Sequence, residues 1–319
     1  MRLIALLLLS FCAVFAAGAQ DYPSRPVKIV VPYAPGGVTD IASRIIGVKL
    51  SEIWKQQVVI ENRPGGGGVV GTQVVAKATP DGYTLLAATV SEFAITQHFY
   101  TKFPLDPIKD FTPIVLVSDT PLMFAAHVSA PFNTVAEMLA YAKKQPDGLA
   151  FASPGNGTLN HLTGERFAME TKVKMLHIPY KGGAPAGAAL ASGEVPVGVV
   201  AASSALPHIK SGRVKAIAVT MSKRIPLNLQ WPTVAESGVP GFEASNWVAL
   251  VAPTGTPRDI VVKVNADANH VLRLPDVRER FAGVGAEAVG STPEELAAKI
   301  RSDSERYGKI AKQLKIKLD

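Results

Sequence analysis

Val27-Lys28-Ile29-Val30-Val31-Pro32-Tyr33-Ala34-Pro35-Gly36-Gly37-Val38-Thr39-Asp40-Ile41 is the stretch that decides the fold. Four of its first five residues are β-branched, and a run that short, closed by Pro32, reads as a strand rather than a buried helix. From Ile41 to Ile53 apolar residues return at helical spacing. Between the two lie Pro35, Gly36 and Gly37, where the chain must turn and where a glycine backbone lets another group approach closely. Strand, glycine loop and helix in succession make the opening of a βαβ unit.

Working outward, the same grammar recurs. Val58 to Ile60, Leu85 to Thr89, Ile114 to Val117, Leu149 to Ala152, Met175 to Ile178 and Ala216 to Thr220 read as further strands. Helical periods fill Val135 to Lys144 and Leu159 to Glu170. Two longer amphipathic helices close the chain, marked by Ile260, Val264 and Val271, then by Leu296, Ile300, Tyr307 and Ile310, with Pro257 and Pro293 at their starts. The fold class is therefore α/β, with mostly parallel sheets flanked by helices. A chain of 319 residues exceeds what one core holds comfortably, so two domains are expected. No long linker separates them, and the crossings are placed near 116–122 and 221–232. That gives a discontinuous first domain, 20–118 with 229–319, and a second domain, 119–228.

Three loops that follow predicted strands and open helices carry glycines: the one at 32–37, then Ser153-Pro154-Gly155-Asn156-Gly157-Thr158, then Pro179-Tyr180-Lys181-Gly182-Gly183. A helix N-terminus presents unpaired N–H groups and the positive end of its dipole, so each loop is a ready anion site. In an open α/β sheet such loops gather at the carboxyl ends of the strands, where ligands bind. Any one of them is equally a plain turn; three alike, spread over two domains, favour a site. Within them Asp40 reads first as a cap of its helix, Thr39 as a hydroxyl offered to a ligand, Lys181 as a point charge or a solvated side chain, and His161 as a donor or a packed ring.

Other features bound the function. Arg2, the apolar run Leu3 to Ala16 and Ala17-Gly18-Ala19 read as an export signal spanning 1–19, with maturation near Gln20 and a periplasmic destination. The apolar run is about 14 residues against the ~20 of a membrane span. Cys12, the one cysteine, falls in that segment, and Phe11 before it does not suit lipoprotein cleavage. Disulfides, thiolate metal sites and a cysteine nucleophile are thereby excluded from the mature chain. The formal charge of +7 is scattered; Lys309, Lys312, Lys315 and Lys317 form a helical face rather than a nucleic-acid patch, and the mild positive field favours anions. No metalloprotease, hydrolase, Walker or calcium-loop motif is present, and the six histidines lack metal-ligand spacing. One enzyme signature does appear: Gly66-Gly67-Gly68-Val69-Val70-Gly71 satisfies GxGxxG after a strand, with Glu92 beyond it, as in a dinucleotide fold. Four consecutive glycines meet that pattern easily by chance, and Arg63-Pro64 stiffens a turn that a dinucleotide site needs tight. The expectation is a binding protein with no cofactor and no catalytic residues, and a nicotinamide-dependent oxidoreductase as the enzyme alternative.

Pro32-Tyr33-Ala34-Pro35-Gly36-Gly37 with Asp40 and Arg44, Asn62-Arg63-Pro64-Gly65, Asp110-Phe111-Thr112-Pro113-Ile114, Pro179-Tyr180-Lys181-Gly182-Gly183, Trp231-Pro232-Thr233-Val234-Ala235-Glu236 and Pro253-Thr254-Gly255-Thr256-Pro257 together resemble the Bug or TctC family. These are the periplasmic receptors of tripartite tricarboxylate transporters, and the likeness covers essentially the whole chain after the leader. It implies a two-domain type II periplasmic binding fold that closes like a hinged trap on a small carboxylate, a monomer that serves a membrane permease or else a sensor kinase, with no nucleic acid as partner. It also implies that the loops at 35–40 and 153–158 grip one carboxylate, drawing on Tyr33, Pro35, Gly36, Gly37, Val38, Thr39, Asp40, Ser153, Asn156, Gly157, Thr158 and His161. The far end of the ligand would be read by Ser91, Glu92 and Phe93, and from the second domain by Lys181, Gly182, Gly183, Ala184 and residues 200–204, Ala201 among them. Val38 stands where the family usually has a small residue, and Pro196 and Val200 where aspartates are common. Glu92 is also unusual: facing the cleft it would repel a second carboxylate and welcome an amine or hydroxyl, whereas facing solvent it would carry no meaning.

Overall fold

The computed structural model describes residues 22–100, 103–225, 228–314 and 317. The expected export segment, 1–19, lies outside the described residues, as does Lys315 of the basic face. Two sheets share one strand. In the first, β1 (Val27–Val31) pairs in parallel with β2 (Val58–Asn62) and β3 (Thr84–Thr89). In the second, β5 (Leu149–Ser153) pairs in parallel with β6 (Met175–Pro179) and β7 (Val197–Ala201). The shared strand is β4 (Phe111–His127), seventeen residues long. It runs antiparallel to β9 (Ser245–Pro253) and the short β10 (Glu287–Ala288) in the first sheet, and antiparallel to β7 and β8 (Val214–Val219) in the second. The parallel strands β1, β2, β3, β5 and β6 were expected from their apolar runs, whereas the parallel β7 was not; the antiparallel set built on β4 makes each sheet mixed.

Helices cover both faces. The first sheet carries α1 (Val38–Trp54), α2 (Val69–Ala76), α7 (Arg258–Arg273), α8 (Pro275–Gly283) and α9 (Pro293–Leu314). The second carries α3 (Val135–Ala142), α4 (Leu159–Thr171), α5 (Gly183–Ser192) and α6 (Ala202–Lys210). α1 forms because Ile45, Ile46 and Leu50 recur at helical spacing and bury against Val27, Ile29 and Leu85. Residue Lys55, at φ 51°, ends it in the left-handed conformation.

The return crossing lies later than the sequence suggests. Residues 229–244, expected in the first domain, pack on the second sheet instead: Val234 N–H bonds to Val219 O at 2.9 Å, Ala244 N–H to Thr220 O at 2.8 Å, and Phe242 joins Phe124 and Phe167 in one aromatic cluster. The chain re-enters the first sheet only at Ser245, where β9 pairs with β4. Apolar Val239 and Phe242 draw the segment onto the second core, a long-range preference that local periodicity does not encode. Both crossings are thus strands lying side by side, a short hinge.

Candidate functional site: a cleft at four helix N-termini

α1, α4, α5 and α6 begin at the seam between the two sheets. Gly37, Val38 and Thr39 from α1, Thr158 and Asn160 from α4, Gly183 from α5, and Ala201 and Ser204 from α6 line one cavity there, closed by Tyr33, Ser91, Pro154 and Asn246. α1, α5 and α6 have no side-chain cap, so their first N–H groups are without side-chain partners where these helices begin at the cavity, while Thr158 caps α4 by accepting from His161 N–H at 3.3 Å. No lining residue is charged. Ser204 Oγ and Asn246 Oδ1, both buried, have no hydrogen-bond partner among the described residues. Buried polar atoms are paired almost everywhere in proteins, so these two of the seven orphans among the described residues leave the cavity able to bond a polar guest. A larger hollow of about 600 Å³ lies on the other side of the hinge, lined by Asp119, Pro121, Met221, Ile225, Arg278 and Glu287 among others. It holds two carboxylates against the single cation Arg278, and no helix begins in its wall.

The two domains meet across the cavity. Ala34 N–H donates to Lys181 O at 3.1 Å, Leu159 N–H to Ser91 Oγ at 3.1 Å, and Thr96 Oγ1 to Gly157 O at 3.1 Å. A Cβ on Gly37 would sit 3.4 Å from Gly183 N, and one on Gly36 3.3 Å from Ala184 Cβ. The free space left inside is about 20 Å³. That is room for about one water, so the domains must part to admit a solute.

Behind the first loop stands Asp40, buried and fully engaged. Its carboxylate accepts from Gly36 N–H at 2.9 Å, Asn62 Nδ2 at 3.0 Å and Arg44 Nε at 3.0 Å, and Asn62 also donates to Tyr33 O at 3.0 Å. Burial pushes this carboxyl up, but Arg44, Gly36 and Asn62 together outweigh it and hold it below the usual carboxylate range. Asp40 therefore fixes the loop that carries Gly37 rather than facing the cavity; it does not cap α1 through the Gly37 end, where no side-chain cap exists.

The residues singled out in the sequence divide accordingly. Tyr33, Gly37, Val38, Thr39, Ser91, Thr158, Gly183 and Ala201 line the cavity. Pro35, Gly36, Gly182 and Ala184 form the loops behind it, and Gly182 holds φ 134° where a Cβ would crowd Ala34 N at 3.0 Å. Lys181 is exposed, and its carbonyl, not its ammonium, bridges the domains. Phe93 is a core residue tilted against Phe111 at 5.1 Å. Ser153 donates within its own loop or to His177, and Asn156 is exposed while its backbone abuts Gly67. His161 is packed outside the cavity lining: its Nδ1 accepts from Gly157 N–H at 3.2 Å and its ring stacks on His177 at 3.8 Å and on Phe99 at 5.9 Å. Glu92 faces neither solvent nor the cavity directly; it is 1% exposed and bonded to Tyr33 and Thr89 behind the wall. Asn160 and Asn246 were not legible. Asn160 sits one residue into α4, and Asn246 enters from β9, far from any glycine loop.

The dinucleotide-like glycines take a different part. Gly66–Gly68 form a single tight turn before α2. Gly67 lies against the Asn156 backbone, Gly68 against the Glu92 carboxyl, and a Cβ on Gly71 would meet Pro32 Cα at 2.7 Å. Gly67 allows close packing across the domain seam, and Gly68 and Gly71 allow it within the first domain.

With that geometry in place, comparison with known proteins decides the class. A family model described as the tripartite tricarboxylate transporter family receptor matches residues 42–316. The chain belongs to the TctC family. Among solved structures, an R. palustris protein with adipate is 34% identical, covering 93% of this chain and 99% of that one, with a TM-score of 0.91. The periplasmic binding protein BugD is 36% identical over 93% of this chain and 99% of its own, with a TM-score of 0.89. MatC from Rhodopseudomonas palustris with bound malate is 32% identical over 91% of this chain and all of that one, with a TM-score of 0.87. The two-domain periplasmic binding fold expected from the sequence is the fold observed, and TctC proteins are solute-binding receptors, not enzymes.

Proposed function

We propose that this chain is an extracytoplasmic receptor that captures a small organic carboxylate between its domains and hands it to a membrane permease. The observation that carries the reading is the convergence of four helix N-termini on a cavity lined by neutral polar groups, two of them orphaned. One carboxylate docks on the N–H groups of α1 and its glycine loop while the domains are apart. Closure then brings the starts of α4, α5 and α6 onto the same guest and expels water, strengthening each charge-assisted hydrogen bond. Adipate and malate in the related R. palustris structures agree with a carboxylate as cargo. A periplasmic site of action agrees with the apolar leader at 1–19 and with the BugD likeness.

A thermal-shift screen of the chain from Gln20 onward, against mono-, di- and tricarboxylates, amino acids, NAD and NADP, tests it. A ligand at about 100 times its Kd adds roughly 2.7 kcal/mol to stability, a readily visible shift. Stabilisation by one class of acids is the expected result. Stabilisation by a nicotinamide cofactor with none by acids would overturn the reading.

A further inference from the structure

The hinge strands border a second space besides the cleft. Along one edge of β4 the partner changes from β9 to β8 between Pro121, paired with Ser245, and Leu122, whose carbonyl accepts from Thr220 N–H at 2.9 Å. The domains turn about this point. Just before it, Thr120 pairs with Asn246, which lines the cleft, whereas Asp119 and Pro121 on either side of Thr120 line the hollow of about 600 Å³. Paired residues of a ladder share a face and successive residues of a strand alternate, so cleft and hollow lie on opposite faces of the same two strands.

The walls of the hollow belong to different domains. Met221 and Ile225 follow β8 and pack on the second core with Met123 and Val219. Ala282, Gly285 and Ala286 stand at the end of α8 and just after it, and Val277 and Phe281 anchor that helix in the first core. A rotation about a pivot separates what lies on one face and draws together what lies on the other. Parting the cleft therefore narrows the hollow and carries two long apolar side chains towards a wall of small residues, the relation of shapes by which packed surfaces interdigitate. No like charges are forced together: Asp119 lies on the hinge strand, Arg278 and Glu287 belong to the first wall, and the residues that the second domain contributes to the lining are uncharged.

We propose that the hollow is a counter-interface to the cleft: in the open receptor Met221 and Ile225 pack against Ala282, Gly285 and Ala286, and this contact, broken on closure, holds the empty receptor open and sets how tightly it binds. The proposal goes beyond capture itself; it rests on the hinge and not on which solute is held. A guest that closes the domains must break the contact, so the contact weakens the apparent affinity by the same factor by which it favours the open form.

Two substitutions of opposite volume test it in the chain from Gln20 onward. Ala282→Trp fills the hollow and blocks its narrowing, while Met221→Ser removes a contact made only in the open form. Ala282 is exposed, Met221 is half-buried, and neither lines the cleft. Both changes are expected to shift the ligand-free protein towards the closed form, read by small-angle X-ray scattering as a smaller radius of gyration. In calorimetric titration with succinate, malate and adipate as probes, both are expected to tighten whichever acid binds the unaltered chain by about threefold or more. Folded variants whose ligand-free radii are no smaller than that of the unaltered chain would overturn the proposal, as would variants that bind the acid no more tightly. Should Ala282→Trp not fold, Met221→Ser decides alone. If no acid binds any form, carboxylate capture fails by itself, and the radii of the ligand-free proteins still decide the counter-interface.

Discussion

At the scale of single residues, Gly37 carries the most weight for the least volume. Its φ of −82° is open to any residue, so a side chain there does not strain the loop. The obstacle is across the seam, where a Cβ would stand 3.4 Å from Gly183 N and larger branches would stand closer still. Gly37→Val is therefore expected to keep its fold, with a melting temperature close to that of the unaltered chain, and to lose carboxylate affinity by about a hundredfold or more because the domains cannot close. Unchanged affinity in titration would remove this loop from the site. His177 makes a second, independent prediction. Burial and then the stacked His161 ring push its pKa down to about 3, so the folded protein holds it neutral while the unfolded chain protonates it near 6.5. Stability from this group is present above about pH 6.5 and is lost as the pH falls towards 3; at about pH 4.5 the loss is on the order of 2–3 kcal/mol. Urea denaturation at pH 7 and pH 4.5 should show a smaller drop for His177→Asn than for the unaltered protein, and equal drops would refute the assignment. What the sequence disclosed at this scale followed from local chemistry: glycine loops at strand ends expose backbone, so Tyr33 to Thr39, Thr158 and Gly183 could be read directly. Asn246 could not, because only the pairing of β9 with β4, more than a hundred residues apart, brings it to the cavity.

Elements explain why the loops land together. α1, α4, α5 and α6 each follow a parallel strand or its loop, and parallel pairing places their N-termini on one edge of each sheet. Their starts differ in a way that can be measured. α4 is capped by Thr158, whose Oγ1 accepts from His161 N–H at 3.3 Å and donates to Gly155 O at 2.8 Å, and the same residue lines the cavity. α9 is capped at the far side of the molecule by Thr292, which accepts from Glu295 N–H at 3.1 Å while Glu295 Oε2 accepts from Thr292 N–H at 2.8 Å. Replacing either threonine with alanine should lower stability by about 1 kcal/mol. Only Thr158→Ala should also weaken acid binding, and an equal loss of affinity in both would mean that the effect is global softening rather than contact at the helix start. Short apolar runs closed by proline were legible to within a residue or two, as in Val27–Val31 and Met175–Pro179, whereas β7 was missed although Val197, Val199 and Val200 are β-branched. β9 was not, since Ser245-Asn246-Trp247 opens it with polar groups, and β4 was seen only as a fragment because Asp119, Thr120 and Pro121 interrupt its apolar run where it passes from one sheet to the other. Polar interruption at the crossing is the price of a strand that serves two cores.

For the molecule as a whole, the question is whether the cleft must open to work. Three backbone or hydroxyl bonds span it, the free space within is about 20 Å³, and the crossings are the adjacent strands β4 and β9. Adjacent strands bend easily about a common line and slide poorly, so the motion available is a hinge. Ala34 and Lys181, joined backbone to backbone at 3.1 Å from opposite domains, offer a way to hold that hinge shut. That contact makes the pair the natural place to try a disulfide, which needs Cα atoms roughly 4.4–6.8 Å apart. The only cysteine, Cys12, precedes Gln20, so in the chain from Gln20 onward Ala34→Cys with Lys181→Cys would form a single, defined bond. Oxidised before ligand is added, that variant should take up an acid far more slowly than its reduced form, because entry needs the domains apart. Oxidised after ligand is added, it should retain the acid through dialysis and release it on reduction, which mass spectrometry of the dialysed protein reads directly. An oxidised empty form that binds at the reduced rate would mean that the cleft fills without opening, and the hinge, with its two side-by-side strands, would then have no part in capture.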